Sequence, residues 1–439
     1  MNSDLQSLEI LNPKLKTSKK GQQSDSALFS YYAGFSENFT INLLDQISPK
    51  DKNLTIFDPW NGSGTTTFSA YKLGHDAIGS DLNPVMLIVA KARLINNLDL
   101  GSLEAICQTI IHNSFSNKTR VYIENDPLNI WFTEKSTHLL RKIENAINKN
   151  FINFDHYSDL TKKSTINKLS TTGAFIYVIL FKTVKTLLKS FIPSNPTWVK
   201  KPKSNEEKIT VSKNEIVNTF FKVLHNTIKA HSFHQYSNPK EATINLKIDN
   251  STSLLQDSSS VDIVLTSPPY CTRIDYAVAT SIEIAIIRVS DIKQLRDNLI
   301  GTSTIKKEII EPDILWGGNC NSFLTQVKNH PSVASSSYYY KNHLQYFNDL
   351  YKSIGHISRV LKNDGIFIPV VQNSFYKEIE NNLAQTVIEM SQQHGLTLVR
   401  DTKFSAKINM SSINTKSNKY ISQKDIFESV LFFKNSRKQ

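Results

Sequence analysis

The stretch "NLTIFDPWNGSGTTTFSAYKLGHDAIGSDLNP", residues 53–84, constrains the fold of this chain more than any other. A short apolar run, Leu54 to Phe57, leads into two closely spaced glycines, Gly62 and Gly64. Thr66 to Leu73 then reads as a helix that Gly74 closes, since glycine takes the left-handed backbone at a helix end at little cost. Ala77 to Ser80 is a second apolar run. Strand, glycine turn, helix, strand is a βαβ unit, and its parallel strands belong in a sheet covered by helices.

The same alternation resumes far downstream. "TINLKI" (243–248) and "VDIVLT" (261–266) read as strands. In "NHLQYFNDLYKSIGHISRVLKNDG" the residues Leu344, Phe347, Leu350, Ile354 and Ile357 fall on one helical face. "GIFIPVVQ" is a fifth strand, "IENNLAQTVIEMSQQHG" a helix, and "LTLVRD" and "ESVLFFKN" two more strands. Near the N-terminus, Phe39, Leu43 and Ile47 recur at helical spacing behind Ser36, a natural N-cap. The first twenty-odd residues are polar and Lys-rich and read as a flexible arm.

The expected architecture is α/β: one doubly wound, Rossmann-like sheet interrupted by a mainly helical insertion. Residues 1–100 form the N-terminal segment and one half of the sheet domain, 101–240 the insertion and 241–439 the other half. Within the insertion, helices are expected at 102–113, 134–148 and 172–192. The "PSNPTWVKKPKSNEEK" segment between them and the next strand reads as loop. In such a sheet, ligands sit at the carboxyl ends of the strands.

Two strand ends carry chemistry. The turn "DPWNGSGTT" puts Gly62 and Gly64 before a helix N-terminus. A dinucleotide fingerprint would have a third glycine where Thr67 stands, and a P-loop would have a lysine that is absent. A phosphate grip is therefore disfavoured. Asp81 ends the second strand, where an acid can accept two ribose hydroxyls. The other reading is a tight turn with a surface acid. At the fourth strand's end stands Ser267-Pro268-Pro269-Tyr270. Neither proline has an N–H to give, and each stiffens the residue before it. Such a turn is either a rigid loop or a fixed frame for hydrogen-bond acceptors. Ser267 Oγ and the Pro268 carbonyl suit the hydrogens of a planar amine, and Tyr270 suits the face of a base.

Composition narrows the class. The net charge of +12 favours a polyanionic partner or reflects a merely Lys-rich surface. Cys107, Cys271 and Cys320 are scattered, which argues against a disulfide framework or zinc knuckle and fits a reducing, cytoplasmic setting. No metal site is expected. No secretory pattern opens the chain, and Lys182, Lys185 and Lys189 interrupt its most apolar stretch, so no membrane partner is expected. Cys271 follows the Pro-Pro-Tyr turn, but no histidine is evident near it in sequence, and it is assigned no chemistry. Asp275 is read as structural, while Arg273 is a candidate nucleic-acid contact. Lys200, Lys201 and Lys203, beside Trp198, are either phosphate contacts or a solvated face.

The motifs "FDPWNGSGTT", "GSDLNP", "DNST" and "TSPPY", in that order, resemble the amino-group DNA methyltransferases, across roughly residues 28–100 and 243–435. The resemblance implies transfer of a methyl group from S-adenosylmethionine to N4 of cytosine or N6 of adenine in double-stranded DNA, by base flipping. Asp58, Pro59, Gly62, Gly64 and Thr65 look like its cofactor loop, Asp81 like its ribose acid, Asn83 like a further cofactor contact, and Asp249 like its adenine-side contact. Ser267, Pro268, Pro269 and Tyr270 look like its catalytic loop, whose Ser form leans toward cytosine N4. "YYAGFSENF" resembles its N-terminal cofactor segment. Two features depart from the pattern: the insertion splits the halves, and no compact recognition domain stands out. The insertion and the 291–340 stretch are the candidates for that role. A restriction or defence partner is a further implication. The alternatives are an RNA guanine-N2 methyltransferase, which usually has Asp where Ser267 stands, and a nucleic-acid-binding subunit without catalysis.

Overall fold

The structure is a computed structural model and describes residues 5–14, 28–29, 34–49, 51–116, 121–193, 198–231, 242–271, 274–405 and 425–436. Its centre is a seven-stranded sheet. The strands are β1 (Thr55–Asp58), β2 (Asp76–Asp81), β3 (Ile244–Ile248), β4 (Val261–Thr266), β5 (Leu361–Gln372), β6 (Leu396–Ser405) and β7 (Phe427–Asn435). Their spatial order is β3-β2-β1-β4-β5-β7-β6. β1 to β5 pair in parallel, and β7 runs antiparallel to both of its neighbours. The chain order reverses between β1 and β4, which makes a crevice at the carboxyl ends of those strands. The doubly wound expectation is met.

Side-chain alternation explains why both faces are covered. Ile56, Ile263, Leu265, Ile366 and Ile368 point to one face and pack with Phe39, Leu43 and Ile47 of helix α1 (Glu37–Ile47). Ala70 of helix α2 (Thr65–Lys72) joins the same core. Phe57, Val264, Phe367 and Phe433 point to the other face. With a period of two, neighbouring residues must part in this way.

Between β2 and β3 the chain forms helices α3 (Pro84–Ala92), α4 (Asn97–Ser116), α5 (Glu134–Phe151), α6 (Thr171–Leu187) and α7 (Lys213–His231). They share one apolar core that includes Val85–Ala90 of α3 and Ile284–Ile287 of the later half. A buried guanidinium fastens this body to the later half. Arg141 of α5 donates to both carboxylate oxygens of Asp126 at 2.7 and 2.8 Å, and to the carbonyls of Ala285 and Ile286 at 2.7 and 2.5 Å. On the second face of the sheet lie α8 (Gly318–Asn329), α9 (Tyr340–Val360) and α10 (Leu383–Gln393).

The N-terminal segment departs from the flexible-arm expectation over its described part. Leu5 is buried in the sheet core. Arg400 donates to the carbonyls of Leu5, Gln6 and Leu8, and the Ser36 N–H bonds the Pro13 carbonyl at 2.7 Å. The polar sequence hides this because the fastening runs through backbone carbonyls, which any residue supplies.

Candidate active site

The carboxyl ends of β1, β2 and β4 open into a cleft. It takes in Asp58, Pro59, Gly62, Thr65, Asp81, Asn83, Asp249, Ser267, Pro268 and Pro269. Two expected residues do not reach its wall, Gly64 and Tyr270. Gly64 has φ +83°, and a β-carbon there would stand 2.6 Å from the Ala90 β-carbon. It lets α2 and α3 approach and starts α2 in a left-handed turn.

The first turn is held by carboxylates. Asp58 is buried and accepts from Thr266 Oγ1 at 2.5 Å and the Trp60 N–H at 3.1 Å, which ties β1 to β4. Asp81 accepts from the Gly62 N–H at 2.9 Å and the Asn83 N–H at 2.8 Å, which ties β2 to the glycine turn. Burial pushes each carboxyl up to about 6, and the nearby Asp58 charge adds to the rise at Asp81. Asn83 caps α3 through the Val85 N–H and donates to Thr280 Oγ1 at 2.8 Å. Asp249 accepts from the Asn250 and Leu255 N–H groups.

The lining has a simple electrostatic character. Asp58, Asp81 and Asp249 contribute to it, and among the described residues that form it there is no lysine or arginine. Two such carboxylates, already reluctant to ionise, repel a phosphate and attract a cation. Asn61 Nδ2 and Trp60 Nε1, buried on the same turn, have no partner among the described residues and are donors in reserve.

The Ser-Pro-Pro-Tyr turn leaves β4 beside β1, as the strand order requires. Ser267 is half-buried on the cleft wall. Tyr270 is half-buried outside the lining, with Lys14 Nζ 5.6 Å from its ring centre. Lys14 also donates to Gln372 Oε1 at 3.0 Å and pairs with the buried Glu428 at 3.5 Å. Cys271 has a neighbour that sequence proximity could not reveal: its Sγ lies 3.3 Å from His343 Nδ1 on α9. Asp275 is structural, capping a short helix through the Val278 N–H and pairing with Arg296 at 2.6 Å.

Other residues join the cleft without having been singled out. Gly34 and Phe35 bring part of "YYAGFSENF" to it, and Leu299 and Ile300 bring the "LIGTSTIKKE" stretch. The first stretch was expected there from its resemblance to an N-terminal cofactor segment, while the second lies in the 291–340 stretch, a candidate for reading the target. Lys200, Lys201 and Lys203 are exposed and none lines the cleft. Arg273 lies outside the described residues. Among the described residues there is no cluster of metal-ligating side chains, and no helix is long and apolar enough to cross a membrane.

An acid-lined cleft at the switch point of a doubly wound sheet stands where such sheets bind ligands, and its charge favours a cation. No protein-family model matches the chain. It is similar to the type II methyltransferase M.MvaI of Kocuria varians, 26% identical over 365 residues, or 77% of this chain and 74% of that one. It is also 26% identical over 311 residues to the type II methyltransferase M.BsoBI of Geobacillus stearothermophilus. That match spans 66% of this chain but only 58% of the relative. Among solved structures, an rRNA methyltransferase of Streptomyces viridochromogenes aligns over 94% of this chain and 92% of its own, with TM-score 0.31 and 9% identity.

Proposed function

We propose that the chain is a DNA methyltransferase that moves a methyl group from S-adenosylmethionine to an exocyclic amino group, with N4 of cytosine ahead of N6 of adenine. The observation that carries this reading is the charge of the cleft, three aspartates and no described cation at a βα glycine turn. S-adenosylmethionine is a nucleoside with a sulfonium and an ammonium and no phosphate, so it suits this lining where a dinucleotide would not. The similarity to two type II methyltransferases supports the same class. When bound, the cofactor supplies an electrophilic methyl on sulfur.

The chain's own residues do the rest. Asp81 accepts the ribose hydroxyls, with Asn83 beside it, and Asp249 faces the adenine side. Asp58, Pro59, Gly62 and Thr65 hold the methionine end, and Gly64 keeps their turn in shape. Ser267 Oγ and the Pro268 carbonyl accept the two amino hydrogens of a flipped base. That turns the nitrogen lone pair out of the ring and toward the methyl. As the nitrogen–carbon bond forms, the methyl would leave the sulfur as a neutral thioether, and the nitrogen proton, acidic only then, would pass to solvent, so no strong base is needed. Tyr270, next to the cleft lining and not in it, offers its ring to the face of the flipped base. Lys200, Lys201 and Lys203 meet the DNA backbone, Arg273 meets a base or a phosphate, and either residues 101–240 or 291–340 read the target. A restriction enzyme of the same target is the natural partner.

Sequencing DNA from cells with and without the gene, by a method that reports methylated bases, tests this reading. Methylated cytosine in one short repeated context is expected. Methylation confined to RNA would overturn it.

A further inference from the structure

The two consecutive prolines at the centre of the catalytic turn have no N–H to fasten it, so its grip there must come through carbonyls and side chains. Helix α9 supplies that grip. Tyr346, almost fully buried, donates its hydroxyl to the Pro269 carbonyl at 2.9 Å. His343, one turn earlier, meets Cys271 Sγ at 3.3 Å. Residues three apart share a helical face, so the two contacts grip the turn on either side of Tyr270. The same face of α9 holds the neighbouring segment. Asn342 donates to the Thr302 carbonyl at 2.7 Å, and Gln345 to the Thr304 carbonyl at 3.0 Å. Gly301 presses on the turn from that side: a β-carbon there would stand 2.9 Å from the Tyr270 carbonyl oxygen.

We propose that Tyr346 is a positioning residue for methyl transfer: by occupying the Pro269 carbonyl it fixes the turn so that Ser267 Oγ and the Pro268 carbonyl face the target amine. This rests on the reading of the turn as the catalytic loop. Tyr346 touches neither cofactor nor base. Its effect is therefore on the rate of transfer, not on the binding of S-adenosylmethionine, whose contacts come from β1, β2 and β3.

The test uses the full-length chain with Tyr346→Phe, His343→Asn, Ser267→Ala and the double variant Tyr346→Phe/Ser267→Ala. Tyr346→Phe is expected to lower kcat on duplex DNA roughly 10- to 100-fold, with the Kd for S-adenosylmethionine changed less than about twofold. His343→Asn acts in the same direction and decides the matter if Tyr346→Phe does not fold. The double variant should be no more than about threefold slower than Ser267→Ala, because residues acting through one element are not additive. Amide exchange across residues 264–276 should quicken in Tyr346→Phe while the rest of α9 keeps its protection. Fold-effects that multiply in the double variant, or unchanged exchange in 264–276, would overturn the proposal. If the unmodified chain transfers no methyl to any DNA, the function fails instead, and amide exchange alone decides whether Tyr346 fixes the turn.

Discussion

Asp58 and Asp81 end adjacent parallel strands, and the charge on Asp58 adds to burial in holding the Asp81 carboxyl at about 6. Both acids are held by N–H groups of the turn between them, Trp60 for Asp58 and Gly62 for Asp81. The glycine turn is thus strung between two carboxylates that ionise only near neutrality. A donor-rich, cationic ligand favours the charged form of both.

Cofactor binding should therefore depend on pH over the range just below neutrality. Ribose hydroxyls donate, so the ionised Asp81 binds and the protonated form does not. With a carboxyl at about 6, Kd for S-adenosylmethionine should rise on the order of tenfold as pH falls from about 7.5 to about 5. Asp81→Asn should weaken binding and flatten that dependence, as calorimetry across pH would show. The free protein moves the opposite way. Carboxyls raised in the folded state stabilise it fully below their ordinary value of 3.8 and lose that contribution as pH rises through about 6. Denaturant midpoints of the free chain should carry that component.

Gly64→Ala should destabilise the whole domain. The new β-carbon meets Ala90 at 2.6 Å, and the backbone sits at φ +83°. The strained backbone alone costs roughly 1–3 kcal/mol. Urea unfolding should show that loss with an unchanged slope. Equal stability would mean that the turn relaxes freely.

Arg141→Met should loosen the helical body from the later half. It removes the bonds to Asp126, Ala285 and Ile286 and leaves a buried carboxylate without its cation. Breaking such a pair costs about 3–5 kcal/mol. Unfolding curves should shift by that order, and proteolysis should find new cuts between residues 101 and 240. An unshifted curve would show that the core shared with α3 suffices alone.

The exposed Lys200, Lys201 and Lys203 offer a test of where DNA lies. Changing all three to Gln should weaken duplex binding alike for all sequences. The slope of log affinity against log salt should shrink by ~0.9 for each phosphate that these lysines neutralise. An unchanged slope would place the backbone track elsewhere.

The sheet was largely legible because each strand is a short apolar run ended by a turn signal. The β1–α2–β2 unit and α1 fall within a residue or so of their expected places. Among the helices that were not legible, two were hidden for different reasons. In α3, Val85 to Ala90 are all buried, so no amphipathic period appears. In α7 the period is present, at Ile216, Phe220 and Leu224, but lies in a stretch dominated by Lys and Asn. The cleft's strand-end residues could be read in order from their motifs. Its supports could not. His343, Tyr346 and Lys14 sit far along the chain from the turn they touch, and their polar side chains carry no signal of burial. In α9 the apolar stripe was visible, while the opposite polar face proved to be packed as well, against residues 302–306 and the turn.

The most direct measurement uses the purified chain, S-adenosylmethionine carrying a labelled methyl group, and either duplex DNA or tRNA, followed by digestion to nucleosides and mass analysis. Label is expected in N4-methylcytosine from the duplex, strongly reduced by Ser267→Ala and by Asp81→Ala. Label in tRNA guanine, or in carbon-5 of cytosine, or label undiminished by Ser267→Ala, would contradict the assignment of the Ser-Pro-Pro-Tyr turn to amino-group methylation of DNA.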